Sequence, residues 1–271
     1  LDTLFKLDFM ALTIDLKGKI ALVTDVTSGV GLGIAKMMAK AGCTVIGCAE
    51  QSETSDVAQR FLAEMESFDA HTDYFKADMV ATEDIDGLVS DITGDYGRLD
   101  ILVSNAGQNV FTGLENSTKK DWQFNLDLNF SVHWRLAKRC KSLLDGNNGV
   151  IIVMASNHTF AGISGCAPYN IAKTALTGLV RSLAIESGPG IRTIGIAPGF
   201  IDTSGNQQWF NSFIRSEEER RRTIDLHPVK ELGTVEEIGG WCVFLSSKYA
   251  GFASGTTYLI DGGRNAVLQD N

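Results

Sequence analysis

Ile20-Ala-Leu-Val-Thr24-Asp-Val-Thr-Ser-Gly29-Val-Gly31-Leu-Gly33-Ile-Ala-Lys-Met-Met38 carries two kinds of pattern in nineteen residues. The first five form a nearly unbroken apolar run, the mark of a strand covered on both faces. Gly29, Gly31 and Gly33 follow, and beyond them the apolar residues recur at helical spacing. A strand that passes through bare backbone into a helix offers unclaimed N–H groups and a partial positive charge at the turn, which suits a pyrophosphate. Close packing of strand on helix also asks for glycine, so the cluster alone leaves both readings open. A second strand, Thr44 to Cys48, then runs into Ala49-Glu50 and completes a βαβ unit.

The same alternation continues along the chain. Short apolar runs at Thr72 to Lys76, Ile101 to Ser104, Val150 to Ala155, Arg192 to Ala197 and Thr257 to Ile260 are separated by longer helix-like stretches. This predicts a doubly wound α/β fold, a parallel sheet with helices on both faces. No repeat and no Pro- or Ser-rich linker divides the chain, so residues 10–271 are read as a single domain and residues 1–9, which precede the first Met, as an N-terminal extension outside the fold. Asp121 to Leu136 alternates strictly, but also places Trp122/Leu126/Phe130/Trp134 and Phe124/Leu128/Val132/Leu136 four apart. Its length favours a helix with two apolar stripes, one toward the sheet and one toward a partner subunit.

Composition narrows the function. The 271 residues carry 24 Lys plus Arg against 33 Asp plus Glu, a formal charge of −9, which argues against nucleic acid or anionic membrane as partner. Five scattered cysteines, Cys43, Cys48, Cys140, Cys166 and Cys242, include no C-x-x-C pair and no His at zinc-ligand spacing; a reduced cytoplasm and no metal are expected. No apolar run reaches the length of a membrane span, and residues 1–9 lack the features of a signal peptide.

Tyr169-Asn-Ile-Ala-Lys173 places a phenol and an ammonium on one helix face, with Ser156 thirteen residues before the tyrosine. An adjacent ammonium favours the phenolate, so such a tyrosine can exchange a proton with a carbonyl or alcohol. With these residues in view, the chain from Leu16 to Gly263 resembles a short-chain dehydrogenase/reductase. Thr24 to Gly31 resembles that family's T-G-x-x-x-G-x-G turn, Ser104-Asn105-Ala106-Gly107 its N-N-A-G strand end, Ala197-Pro198-Gly199 with Thr203 its P-G motif, and Ile260-Asp261-Gly262-Gly263 its closing strand.

The resemblance implies a Rossmann-type fold, a homotetramer and hydride transfer between a nicotinamide cofactor and a secondary alcohol or ketone. It implies catalytic roles for Tyr169 as proton donor and acceptor, for Ser156 as a hydrogen-bonding partner of the substrate oxygen, for Lys173 in lowering the tyrosine pKa and contacting the ribose, and for Asn129 in holding a water. It also implies cofactor contacts from Ser28, Gly29, Val30 and Gly31 at the pyrophosphate, Asp78 and Met79 at the adenine, Asn105, Ala106 and Gly107 at the end of the fourth strand, and Pro198, Gly199, Ile201 and Thr203 on the nicotinamide side.

Three positions depart from the family pattern: Asp25 at the first glycine of the turn, Ala49 where NAD users usually carry an acid, and Ile194 where Asn is frequent. Asp tolerates left-handed backbone, so the turn is expected to hold. NADP carries a ribose phosphate that its readers pair with Arg or Lys, whereas Asp25 and Glu50 are acids that suit a free diol; NAD is therefore expected over NADP. Asn157, His158, Asn206, Gln207 and Gln208 place polar groups near the expected substrate mouth and favour a sugar or polyol. Trp209, Phe210 and Phe213 stand in the variable lid, with Trp209 a candidate substrate contact, and Glu217 to Arg222 reads as a solvated helical face with pairs four apart. The alternatives are an NADPH-dependent 3-oxoacyl thioester reductase and a dinucleotide-binding regulator without catalysis.

Overall fold

The computed structural model describes residues 12–268, so the extension expected at residues 1–9 lies outside the described residues. Strands β1 (Ile20–Thr24), β2 (Thr44–Ala49), β3 (Thr72–Lys76), β4 (Ile101–Ser104), β5 (Gly149–Met154), β6 (Ile191–Pro198) and β7 (Thr257–Ile260) form one parallel sheet in the order β3-β2-β1-β4-β5-β6-β7. Each lies within one residue, at either end, of the run that predicts it. Side chains alternate between faces along every strand. Leu22, Ile46, Leu102 and Ile151 pack beneath α3 (Thr82–Asp95) and, after two short helices α4 (Gly113–Asn116) and α5 (Lys119–Leu126), beneath α6 (Val132–Leu144) and α7 (Tyr169–Ser187). Ala21, Val23, Val45, Ile101 and Ile152 pack beneath α1 (Gly29–Lys40), α2 (Asp56–Met65) and, beyond α8 (Ser204–Asn211) and α9 (Ser216–Asp225), α10 (Val235–Ser246). Ile194, one of the departures from the family pattern, is fully buried in this second layer. The chain winds outward from β1 to β3 and returns to β4 on the other side of β1, which opens a crevice at the carboxyl ends of β1 and β4.

The close-packing reading of the glycine cluster holds at Gly33. A Cβ on Gly33 would stand 2.5 Å from Val235 Cβ, and one on Gly239 would stand 2.8 Å from the Gly33 carbonyl oxygen, so α1 and α10 touch through bare backbone. Gly31 packs instead against Asp25 and Asn105 at the strand ends.

The stretch around Asp121 to Leu136 is helical, but its two stripes need correction. A π-helical turn, Asp127–Ser131, joins α5 to α6. The wider turn rotates α6 relative to α5, so the buried face reads Asn125, Asn129, Val132, His133 and Leu136, while Trp122, Phe124 and Trp134 are exposed. Polar groups thus point inward where the apolar period predicts Phe124 and Leu128. The charged run is corrected as well. Glu218 pairs with Arg215 and Glu219 with Arg222, three apart, and Arg220 leaves the solvated face to bind Asp202 at 2.6 Å and lie over the Phe210 ring. Asp202 captures it because a part-buried carboxylate with two guanidinium nitrogens in reach outweighs an exposed pair.

Candidate active site

Thr24 ties the crevice together. Its Oγ1 accepts from the backbone N–H groups of Asn105 and Ala106 at 2.9 Å each, and its carbonyl accepts from Asn105 Nδ2 at 3.1 Å. Asp25 follows in the left-handed region, φ +61°, donating its N–H to the Cys48 carbonyl at 2.7 Å. A Cβ on Gly31 would fall 1.9 Å from the Asp25 carbonyl oxygen, so this position admits only glycine. Ser28 is the N-cap of α1, yet its side chain caps nothing and the first turn holds no acid. The N–H groups at Gly29, Val30 and Gly31 are thereby left for a ligand. Thr203, the N-cap of α8, leans over this turn: a Cβ on Gly29 would lie 3.7 Å from Thr203 Cγ2. A cradle that a Cβ would fill, facing an uncapped helix start, fits a dinucleotide pyrophosphate.

Glu50 is exposed just past β2 and accepts from Gln51 Nε2 at 3.0 Å. Burial, reinforced by the Glu50 carboxylate, pushes the Asp25 carboxyl up to about 6. Lys19 donates to Asp100 Oδ1 at 2.8 Å and Lys17 packs against Gly42; both precede β1, roughly 16 Å of strand away from the turn. Asp78 Oδ1 accepts from the Val80 N–H at 2.9 Å, and Met79 beside it is buried. At the other flank Pro198 ends β6, Gly199 donates its N–H to Ile260 at 2.8 Å, and Ile201 bridges to Gly233.

The Asp25 shift makes a stability prediction. Its folded pKa lies above the unfolded value, so the favourable contribution of the protonated form is present below the unfolded pKa and is lost as pH rises through about 6. Asp25→Asn, which keeps tolerance of left-handed backbone, is expected to melt about 2–5 °C above the parent at pH 8 and level with it at pH 4. Thermal unfolding at the two pH values checks this; an equal gap at both would refute the electrostatic cause.

Ser156 lies just past β5 in extended backbone, caps a short turn over Asn157–Thr159 and accepts the His158 N–H at 3.2 Å. Tyr169 opens α7 and Lys173 follows one turn later, both buried. Ser156 Oγ itself donates to Asn157 Oδ1 at 3.4 Å. Lys173 Nζ donates to the Met154 carbonyl at 3.0 Å and lies 5.8 Å from the Tyr169 ring centre. Asn129, in the π turn, accepts from the Gln108 N–H and donates to the Gln108 carbonyl, each at 3.0 Å. A Cβ on Gly107 would stand 3.0 Å from Asn129 Oδ1 and 3.1 Å from Lys173 Nζ, so these two polar ends converge on one bare backbone position. The structure therefore brings Asn129, Ser156, Tyr169 and Lys173 together as one buried group beside the crevice.

Its electrostatics differ from the expectation that the ammonium lowers the phenol pKa. Burial pushes the phenol up to about 12, with the Ser156 hydroxyl opposing in part, and pushes the Lys173 ammonium down to about 7. Both groups lose water together, and desolvation is the largest cause of each shift.

The substrate side is also revised. Trp209 packs with Phe200, Phe210 and Phe213 at 4.8 to 5.7 Å, inside the lid's own aromatic cluster; the rings beside Tyr169 are those of Phe111 and His158. Asn206 donates to the Ile201 carbonyl, Gln207 to Asp202, and Asn157 bonds Asn265, so these amides fasten the lid and the C-terminal turn. Phe111 and Asn170 are the site neighbours that sequence reasoning missed. Phe111 sits in a loop without period, and Asn170 reads as spacing within Tyr-x-x-x-Lys. Among the described residues no group of three or more His, Cys, Asp or Glu is placed to hold a metal, and no helix is long and apolar enough to cross a membrane.

Residues 26–265 match a family model described as enoyl-(acyl carrier protein) reductase. Human dehydrogenase/reductase SDR family member 4 is 32% identical over 257 residues, covering 93% of this chain and 90% of that protein. The 2-dehydro-3-deoxy-D-gluconate 5-dehydrogenase of Bacillus subtilis is 34% identical over 251 residues, covering 92% and 95%. L-sorbose reductase of Gluconobacter frateurii, solved with NADPH and L-sorbose, superposes with a TM-score of 0.88 at 27% identity, covering 95% of this chain and all of that one. A full-length match in sequence, the seven-stranded parallel sheet and the crevice beside a buried tyrosine and lysine together place this chain in the short-chain dehydrogenase/reductase family, as an oxidoreductase of CH–OH groups.

Proposed function

We propose that the chain is an NAD(H)-dependent dehydrogenase of a small polar secondary alcohol, a sugar or polyol, working as a cytoplasmic homotetramer. The observation that carries the reading is the convergence of Ser156, Tyr169, Lys173 and Asn129 beside the glycine crevice. When bound, the nicotinamide supplies or accepts the hydride. Ser28, Gly29, Val30 and Gly31 would hold the pyrophosphate; Asp25 and Glu50 the adenosine ribose; Asp78 and Met79 the adenine; Asn105, Ala106, Gly107, Pro198, Gly199, Ile201 and Thr203 the remaining edge.

Within the chain, Tyr169 gives its phenolic proton to a ketone oxygen or takes one from an alcohol, and Ser156 fixes that oxygen by a hydrogen bond. Lys173, with its pKa near 7, both gives and takes a proton at neutral pH and faces Asn129 across Gly107. The sugar or polyol assignment draws on the named activities of the Bacillus subtilis and Gluconobacter frateurii relatives. Tetramer formation would cover the exposed Trp122, Phe124 and Trp134. A nicotinamide absorbance screen of both cofactors against polyols, sugars, hydroxy acids, steroids and acyl thioesters tests the reading. A polyol or sugar is expected to give the highest kcat/KM; a wide advantage for hydrophobic ketones or acyl thioesters would overturn it.

A further inference from the structure

His158 meets Tyr169 edge to face, with ring centres 5.5 Å apart at 77°. Phe111 stacks on His158 at 6.0 Å and 28°, and itself meets Tyr169 edge-on at 5.6 Å. The imidazole is thus held between two rings on the wall beside the phenol. Its tautomer is held as well. Nδ1 lies 2.6 Å from Asn170 Oδ1, and an amide oxygen only accepts, so Nδ1 carries the hydrogen and Nε2 keeps a bare lone pair. The Asn170 amide is wedged against Gly162, where a Cβ would fall 2.6 Å from Nδ2. Burial holds the ring's pKa below its ordinary value, which keeps it neutral. Nε2 has no hydrogen-bond partner among the described residues and is not enclosed.

An acceptor fixed beside the proton-exchanging phenol addresses a second oxygen of the same substrate. With ring centres 5.5 Å apart, the phenol and the imidazole lie within reach of one small substrate that carries two neighbouring oxygens. Resting on the alcohol–ketone reading of the site, we propose that His158 Nε2 accepts a hydrogen bond from the hydroxyl on the carbon next to the reacting one, so that the enzyme selects vicinal diols and α-hydroxy ketones over their deoxy counterparts. A deoxy analogue would cover Nε2 without pairing it, which costs it about 10- to 100-fold in kcat/KM.

The test compares hydroxyacetone with acetone in reduction and vicinal cyclohexanediol with cyclohexanol in oxidation, reading the kcat/KM ratio within each pair. His158→Phe keeps a stacking ring and removes the acceptor, so both ratios are expected to fall by about 10- to 100-fold. His158→Gln places an amide oxygen near the lost Nε2 and is expected to restore most of each ratio. Ratios unchanged in a folded His158→Phe enzyme would overturn the assignment, as would a fall that His158→Gln does not reverse. If the parent turns over alcohols and shows no preference within the pairs, His158 is wrongly assigned and the hydride-transfer reading stands; failure with every alcohol and ketone refutes both.

Discussion

Tyr169→Phe is expected to lose about 10³-fold or more in kcat while binding NAD(H) within about threefold of the parent. The substitution removes one oxygen from a side chain that is 6% exposed and leaves the ring in place. Its edge contacts with Phe111 and His158 stay, so this ring cluster and the start of α7 keep their packing. What disappears is the proton that must pass to or from the substrate oxygen. No nearby group is set to stand in as proton donor: Lys173 donates to the Met154 carbonyl, and the neutral His158 carries its one hydrogen on Nδ1, toward Asn170. Steady-state rates with the best substrate of the screen, alongside a cofactor titration by protein fluorescence, separate the two quantities. Turnover within tenfold of the parent would refute Tyr169 as the proton carrier. A large loss of cofactor affinity would mean the ring supports the crevice more than the chemistry.

The fold was legible because strands buried on both faces leave continuous apolar runs, and here those runs stand apart from the helical stretches with little overlap. The same logic misled at Asp121 to Leu136. Period alone assumes regular turns, and one π turn at Asp127–Ser131 was enough to swing Asn125, Asn129 and His133 inward. Asp25 was readable as a tolerated left-handed residue, since its short polar side chain suits φ +61°. Tyr169 and Lys173 were readable because helical spacing alone sets them on one face. Phe111, Asn170 and the Thr24 hub were not, because each acts through contacts between segments far apart in sequence, and no local pattern records those. Asn206 and Gln207 failed for a related reason: an amide near a pocket mouth is open to substrate only if nothing nearer claims it, and here Ile201 and Asp202 do.

NAD(H) is expected to exceed NADP(H) by about 30- to 150-fold in kcat/KM at pH 8, and the charge around the adenosine ribose is the reason. A carboxylate about 4 Å from a ribose phosphate is repelled by roughly 4 kcal/mol at an effective dielectric near 20. Exposure of Glu50 and ordinary salt reduce that to ~2–3 kcal/mol. Of the bases that could offset it, Lys19 is held by Asp100 at the opposite end of β1, and Lys76, in register with Ala49 at the end of β3, lies beside the Glu53 carboxylate. Asp25 adds a pH dependence. With its carboxyl pushed up to about 6, it is charged at pH 8 and largely neutral at pH 5, so the preference for NAD should shrink as pH falls. Protonation of the ribose phosphate over the same range acts in the same direction, and Asp25→Asn separates the two: whatever pH dependence survives in that variant belongs to the phosphate. Glu50→Arg exchanges repulsion for a charge-assisted pair and is expected to bring the two cofactors within about tenfold of each other or reverse their order. A preference for NADPH in the parent at pH 8 would refute the argument outright, and an unchanged ratio in Glu50→Arg would show that Glu50 does not face the ribose.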